Sequence, residues 1–426
     1  MPRSALGFMH LVGLLIGMLA IGGCEPISHI SWSPDGARAA YFVPVQGKLV
    51  PGVSYVLDAD GKKMASLGPT FGSFAWSPDS KSIYFGAYDN QQPATVPIER
   101  KWLVDAEDQQ PPEAPANDEF PPMVLTRWSD GKAERLAPVG NRYVVFVQLS
   151  PDQNWVAVMT SAKETGTDGR PQLFVYNVAS KKLYAVSDYC GNAMCFTGPD
   201  RLAYVETMRD HHQPLQTGQI IEVKLDESSE QLERTPLVDL IPSTTTFMQP
   251  TGDGLLFTTV AASVPVKASK ENEHRPPGLF HYTRANGGVT AMAEATEQLF
   301  MPSPDGKRIL YIKLTPASEK MPLKRELCVM NANGSDEHVL RDLSIFGQQP
   351  PMWPAWHGND EITFVGSKAE DQPVQEGKDP RIAFDVVQYK INAQGALEPI
   401  KTLSDGWPIE MKPSMKKSDY TAPVSN

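Results

Sequence analysis

Short apolar runs alternate with tight polar turns along the chain, and one arrangement of the two recurs. Its clear copies are Ser-Pro-Asp-Gly at 33–36, Ser-Pro-Asp-Ser at 77–80 and Ser-Pro-Asp-Gly at 303–306, each followed by an apolar run. Proline presets φ at the first turn position, while Asp and Gly tolerate the backbone that follows. Each copy therefore predicts a tight hairpin turn between two strands, the second of which is apolar on both faces.

The repeat is visible seven times, and its fourth and fifth copies are degenerate. A second hairpin follows each copy, as at 55–62 and 124–132, so each unit holds four strands in about fifty residues. Seven units predict an all-β fold, a single β-propeller of seven four-stranded blades that requires no Velcro strand exchange. A pair of β-sandwiches is the alternative fold, but a sandwich needs no recurring turn sequence. The copies carry Asp35, Asp79, Asp152, Asp200, Asp253, Asp305 and Asp360.

The repeat also sets the expected domain boundaries. Because two copies are degenerate, six blades is the alternative to seven. Residues 1–23 are predicted to be a lipoprotein signal peptide, 24–27 an acylated cysteine with a short tether, and 404–426 a polar C-terminal tail. The propeller is predicted at 28–403, with blades at about 28–68, 71–138, 143–188, 193–240, 246–295, 299–343 and 352–403.

The first residues predict export. Arg3 gives a positive start, an apolar stretch runs over 5–23, and small residues precede Cys24. A cysteine thiol at this place is the nucleophile that takes a diacylglyceryl group, and Ile-Gly-Gly-Cys at 21–24 resembles the bacterial lipoprotein box. The alternatives are a transmembrane anchor, since about 19 apolar residues nearly span a bilayer, and ordinary cleavage beside an incidental cysteine. We expect an extracytoplasmic protein, lipid-anchored at the bacterial cell envelope and facing the periplasm or the outside.

The formal net charge of −11 bears on the partners of the chain. Nucleic-acid binding depends on phosphate contacts from Lys and Arg, so this acidic chain argues against nucleic acid. It argues equally against electrostatic attachment to anionic lipid. The expected partners are the membrane, through the lipid on Cys24, and an envelope protein or glycan.

Three further cysteines have separate interpretations. Cys190 and Cys195 lie close in sequence and are predicted to form a small disulfide loop in an oxidising compartment. Two free thiols are one alternative and half of a metal site is another. Cys328 lies inside an apolar run and is predicted to be a buried small hydrophobe.

The Trp-Ser-Pro-Asp-Gly sequence at 32–36, with an apolar strand behind it, resembles the repeat of the TolB-like, WD40-like propeller family. The resemblance covers about 28–403 and concerns the fold rather than a function. TolB carries an α/β domain before its propeller, whereas here only 25–27 separate Cys24 from the first strand. Prolyl-peptidase relatives carry a hydrolase domain, but this sequence has no Gly-x-Ser-x-Gly motif. The resemblance therefore implies a propeller without the family's additional domains.

The long connections point to one face of the predicted propeller. In each blade the longest connection joins the second strand to the third, so these connections gather on one face and the tight turns on the other. Loops on a rigid scaffold commonly carry function. The longest includes the acidic, proline-rich segment 109–122, which is either a partner-docking arm or a solvated loop. We therefore predict a non-enzymatic, cofactor-free binding scaffold for a protein, peptide or glycan. Its binding-face residues are Asp118, Phe120, His211, His212 and His274.

A metal-assisted polysaccharide lyase is the alternative function. Imidazole is a common zinc ligand, and four histidines are expected on the connection side of the propeller. Such a site would resemble the histidine-ligated propeller lyases that act on oligogalacturonate, whereas the other interpretation is four solvent-exposed side chains. The histidines are His29, His211, His212 and His274.

Tryptophan recurs at the end of the innermost strand, as Trp32, Trp76 and Trp356. An indole in this place either stacks on a carbohydrate or packs between neighbouring blades. Because the indole recurs with the period of the fold, we predict packing.

Overall fold

The computed structural model describes residues 28–44, 52–88, 98–103, 123–139, 142–162, 171–188, 190–207, 218–240, 245–259, 278–294, 296–315, 324–346, 350–371 and 381–416. These residues form antiparallel sheet almost throughout, together with the one-turn 3₁₀ helices Ser344–Phe346 and Ile409–Met411. Within those ranges no helix is long and apolar enough to cross a membrane.

The first three units follow the predicted strand order, with each strand antiparallel to the one before it. The first unit is β1 to β4: His29–Trp32, Arg38–Val43, Gly52–Asp58 and Lys63–Trp76. The second shares β4 and adds β5, β7 and β8: Ser82–Tyr88, Met123–Ser129 and Lys132–Pro138. The third is β9 to β12, with β6 (Ile98–Glu99) parallel to β12: Arg142–Leu149, Trp155–Ala162, Gln172–Asn177 and Lys182–Ser187.

The later units repeat this order. The fourth is β13 to β16: Cys190–Gly198, Arg201–Thr207, Gly218–Lys224 and Glu233–Leu240. The fifth is β17 to β20: Thr245–Pro250, Gly254–Thr259, Gly278–Thr283 and Gly288–Glu294. The sixth is β21 to β24: Thr296–Pro302, Arg308–Thr315, Lys324–Asn331 and His338–Asp342. The last is β25 to β28, with β29 (Ser414–Lys416) paired to β27: Ala355–Trp356, Glu361–Asp371, Arg381–Ile391 and Leu397–Thr402. The predicted all-β propeller is confirmed, while its blade count and mode of closure stay predictions.

The core lies in layers between neighbouring sheets. Along β10, Val156 and Val158 pack towards the second unit, whereas Ala157 and Met159 pack towards the fourth. All four side chains are buried. Successive side chains of a strand point to opposite faces, so a strand between two sheets must be apolar at every position. This packing explains the unbroken apolar runs that follow the Ser-Pro-Asp turns.

Strand β4 crosses the boundary that the sequence placed between 68 and 71. It is a single strand of 14 residues whose first part pairs with β3 and whose second part pairs with β5. The register on β5 shifts between Thr70 and Phe74, and Gly72 lies in that interval with φ +81°. A Cβ at Gly72 would lie 2.5 Å from the His29 ring, so this bend requires glycine.

The predicted polar C-terminal tail, 404–426, is wrong for residues 404–416. Trp407, Met411 and Met415 are buried, and β29 pairs with β27. These apolar side chains are scattered among Ser, Asp, Glu and Lys, so local composition concealed a segment that packs against the sheets. Residues 417–426 lie outside the described residues.

Candidate functional site

The tight-turn face is built from side chains that bond to their own backbone. In the first turn Ser33 Oγ donates to Asp35 Oδ1 at 2.6 Å. Asp35 Oδ1 also accepts from the backbone N–H of Ala37 at 3.0 Å. The second turn repeats the geometry, and the hydrogen bond from Ser77 holds the pKa of Asp79 below its usual value. The carboxylates of Asp35 and Asp79 therefore accept hydrogen bonds that stabilise their own turns.

The recurring tryptophans join neighbouring units. Trp76 Nε1 donates to the backbone carbonyl of Ser31 at 2.9 Å, and Trp356 Nε1 donates to that of Met301 at 2.7 Å. Trp32 Nε1 donates to Thr363 Oγ1 at 3.1 Å. Each indole N–H thus bonds to the adjacent unit, as the packing interpretation predicted.

The fourth and fifth units lack the recurring tryptophan, and a buried carboxylate joins them instead. Glu222 is 2% exposed and accepts hydrogen bonds from Thr197, Arg201 and Arg284. Burial by itself would raise the pKa of Glu222, but hydrogen bonds from Arg284 and Thr197 and the charge of Arg284 outweigh it. The pKa of Glu222 is therefore lowered, and the carboxylate stays ionised between two cations.

The opposite face receives the connections between the second and third strands, because neighbouring strands are antiparallel. Most of these connections lie outside the described residues. Cys24 is also outside the described residues, and so are the predicted binding-face residues Asp118, Phe120, His211, His212 and His274. The assignments made for them therefore stay predictions.

His29 lies at the connection end of β1 and is engaged in packing. Its ring lies 5.3 Å from that of Phe42 and 5.7 Å from that of Phe74, and Nε2 donates to the carbonyl of Gly72. The imidazole therefore links the first unit to the second. Among the described residues no group of three or more His, Cys, Asp or Glu side chains is placed to hold a metal ion.

Sequence reasoning missed an aromatic cluster at the same end of the second and third units. The cluster is Phe71, Tyr88 and Tyr143, with ring centres 4.5 Å apart for Phe71–Tyr143 and 5.9 Å for Phe71–Tyr88. All three side chains are half-buried. Tyr143 lies at the start of β9, Phe71 at the bend of β4 and Tyr88 at the end of β5. The position of each residue along its strand was the sequence signal that could have identified the cluster.

Tyr88 carries the unusual chemistry of the aromatic cluster. Its hydroxyl is buried and has no hydrogen-bond partner among the described residues. Burial, with a smaller contribution from Tyr143, raises the pKa of Tyr88, so the phenol stays protonated. A buried hydroxyl without a partner costs about 1–3 kcal/mol. The cluster thus combines half-buried apolar rings with one buried phenol hydroxyl.

The longest connection is fastened to the outside of the propeller over residues 98–103, which we call the strap. Trp102 stacks on Tyr184 with ring centres 4.3 Å apart, and its Nε1 donates to the carbonyl of Ser229 at 3.0 Å. Lys101 Nζ donates to the carbonyl of Glu227 at 2.7 Å. The strap therefore ties the second unit to the third and fourth. The proposed docking segment, 109–122, lies outside the described residues.

The structure does not join Cys190 and Cys195, which are buried free thiols. Cys190 packs with residues of the third unit, whereas Cys195 packs with residues of the fifth. The two side chains thus lie on opposite faces of one sheet, where a disulfide cannot form without moving the backbone. Cys328 is a buried thiol, as predicted.

Comparisons with known proteins establish the fold. No family model and no curated protein sequence matches the chain. Its structure is similar to that of an oligogalacturonate lyase from Vibrio parahaemolyticus, with TM-score 0.51 and 11% identity over 80% of this chain and 87% of the lyase. A second oligogalacturonate lyase, in complex with manganese, gives TM-score 0.50 and 10% identity over 79% and 84%. TolB from Acinetobacter baumannii gives TM-score 0.40 and 12% identity over 91% and 70%. At these identities the two lyases show the fold alone, and the chain is an all-β propeller protein.

Proposed function

We propose that this chain is a cell-envelope lipoprotein whose TolB-like propeller is a non-enzymatic scaffold. It binds a protein, peptide or glycan partner through the connection face. The lipid on Cys24 holds the scaffold at the membrane outside the cytoplasm. This proposal combines the export signal of the sequence with the division of the propeller into a tight-turn face and a connection face.

The aromatic cluster is the observation that carries the proposal. Polar side chains of the tight-turn face such as Ser33 and Trp76 bond within turns or between units. On the connection face, the Tyr88 hydroxyl has no partner in the described part of the chain and lies beside the rings of Phe71 and Tyr143. Recognition sites commonly combine apolar rings with a few unsatisfied polar groups, and tyrosine supplies both.

Affinity purification from detergent-solubilised envelopes tests this function. The intact chain is compared with a variant in which 109–122 is replaced by a Gly-Ser sequence of equal length, which preserves the strap. A second variant, Tyr88→Phe, removes one hydroxyl and leaves the ring. Because no described residue bonds to the hydroxyl, Tyr88→Phe is expected to leave the unfolding midpoint unchanged or raised. Under the proposal, a partner identified by mass spectrometry is depleted with one or both variants.

Two controls distinguish the proposal from its alternative. Lys132→Ala, on an exposed outer strand, is expected to leave the partner unchanged. Cys24→Ala is expected to release the protein from the membrane fraction and abolish incorporation of labelled fatty acid. A partner yield that neither connection-face variant changes would contradict the scaffold proposal. Stoichiometric metal in the purified protein, with cleavage of a polysaccharide, would establish the lyase instead.

A further inference from the structure

The first and last units meet at a seam that no peptide bond crosses. Elsewhere the chain passes directly from the outermost strand of one unit into the next unit. At the seam Ser28 and Met352 form an isolated parallel bridge, and the N–H of Trp353 donates to the carbonyl of Ser28 at 3.2 Å. No described strand of one of these two units pairs within the sheet of the other. The seam therefore depends on non-covalent contacts.

Few hydrogen bonds between described residues cross the inner part of the seam, where apolar side chains such as Ile30 and Trp356 share one buried cluster. β25 pairs with β26 at Ala355 and Trp356 alone, so the last unit has a short innermost strand. Across the seam, Trp32 Nε1 donates to Thr363 Oγ1, and His357 Nε2 donates to the carbonyl of Gly36 at 3.1 Å. These bonds hold the edges of the two units near the axis and leave their outer parts to be held by other residues.

Residues 404–416 lie across the outer part of the seam. Trp407 Nε1 donates to the carbonyl of Gly61 at 2.6 Å, and its ring centre is 4.9 Å from that of Tyr41. Both partners belong to the first unit. Gly61 has φ +80°, and a Cβ there would lie 2.4 Å from the carbonyl oxygen of Leu403, so the approach requires glycine. Lys401 Nζ adds a bond to the carbonyl of Ala59 at 2.8 Å.

The two ends of the same segment are fastened to the last unit. Ser404 Oγ accepts from the N–H of Val386 at 2.7 Å. At the other end β29 pairs with β27, with Met415 opposite Ile382. Between these two ends lies the one-turn 3₁₀ helix Ile409–Met411, in which Ile409 is 58% exposed. So short a segment has no core of its own and can detach without dismantling a sheet.

We propose that residues 404–416 form a releasable clasp. The clasp closes the seam in place of strand exchange, and its detachment loosens the propeller between the first and last units while the other units stay packed. Trp407 is its fastening point on the first unit, and Ser404 and β29 fasten it to the last. A partner or force that removes Trp407 from Gly61 thereby acts on the seam before any other interface.

Hydrogen exchange of the full chain with the variant Trp407→Ala tests the clasp. Loss of a buried indole should raise exchange on the order of 100-fold in β1 to β3 and β26 to β28. Exchange in β13 to β20 should change by no more than about 3-fold, because those strands lie away from the seam. The matched control is Trp102→Ala, which also removes a buried indole packed against a tyrosine and bonded to a backbone carbonyl. It should raise exchange at the strap and leave the seam unchanged.

A covalent lock provides the complementary test. Ser28→Cys with Met352→Cys introduces a disulfide between the partners of the bridge, where the backbones are adjacent. Under the proposal, the oxidised lock restores seam protection in Trp407→Ala to within about 3-fold of the parent, and reduction removes it. If Trp407→Ala does not fold, Trp407→Phe keeps the ring and loses the bond to Gly61, with an expected local rise of about 5-fold. Uniform exchange across all units, or an unchanged seam, would overturn the clasp.

Discussion

The guanidinium of Arg308 lies 5.3 Å from the ring centre of Trp356, in the neighbouring unit. Arg308 also donates to the carbonyl of Asn359 and pairs with Asp360 at 2.5 Å. Arg38 repeats the arrangement on Trp76, with its guanidinium 5.9 Å from the ring centre and a bond to the carbonyl of Ser80. In both pairs, the arginine that follows a Ser-Pro-Asp turn covers the tryptophan of the next unit.

The indole N–H of Trp356 can be tested separately from its ring. Trp356→Phe keeps an aromatic ring but leaves the carbonyl of Met301 without its donor, so we expect a loss of about 1–2 kcal/mol in the free energy of unfolding. Trp356→Ala should lose about 3–5 kcal/mol. Urea denaturation measures both, and Trp76→Phe, at the equivalent position, should match the first value. Unchanged stability with loss of a bound glycan would instead indicate a ligand-stacking indole.

Glu222 should make the stability depend on pH. Its pKa in the folded protein is lowered below the unfolded value, near 4.5, so its contribution is complete above that value. The contribution is lost as the pH falls through the folded pKa. Glu222→Gln should lower the free energy of unfolding at pH 7 by about 3 kcal/mol, because Arg201 and Arg284 lose their buried anion.

Denaturation at a series of pH values measures this effect. The difference between the parent and Glu222→Gln should shrink as the pH falls below about 4.5. Glu134→Gln, which removes a half-exposed carboxylate paired with Arg127, is the control and should change stability by less than about 1 kcal/mol. A difference between parent and Glu222→Gln that does not vary with pH would contradict the ionised state of Glu222.

The cysteines should react as thiols. Burial raises the pKa of Cys190 and of Cys195, so native protein should be alkylated slowly at both. After unfolding without reductant, peptide mass spectrometry should find both cysteines alkylated, because they pack on opposite faces of the sheet. A peptide with Cys190 joined to Cys195 in protein from an oxidising compartment would restore the disulfide prediction.

Trp102 should control the exposure of the longest connection. Trp102→Ala removes the stack on Tyr184 and the bond to Ser229, so the strap should detach and the segment 89–122 should be cleaved faster by a non-specific protease. We expect an increase of about 10-fold in the cleavage rate at unchanged folding of the units. Lys101→Ala removes one half-buried cation and its single bond to the carbonyl of Glu227, and should have a smaller effect. Equal cleavage of Trp102→Ala and the parent would show that Trp102 does not hold the connection.

Much of the fold followed from local sequence because one turn determines one unit. Ser33 and Asp35 bond within a few residues of each other, and the apolar strand behind them has one arrangement that buries both its faces. Contacts between distant residues left no such pattern. Trp102 on Tyr184, Trp407 on Gly61 and the aromatic cluster each depend on how the units are placed side by side. The disulfide prediction was made from sequence spacing, which does not reveal on which face of β13 each cysteine lies.

The strap has a consequence for the order in which the protein is assembled. Trp102 is synthesised before Trp155, Tyr184 and Ser229, which form its pocket. As the chain emerges, the second unit can pair its strands while its longest connection still lacks a binding place. The connection can be secured only after the fourth unit has folded. Until then an apolar indole and a proline-rich loop remain open to proteases and to chaperones that bind exposed apolar residues.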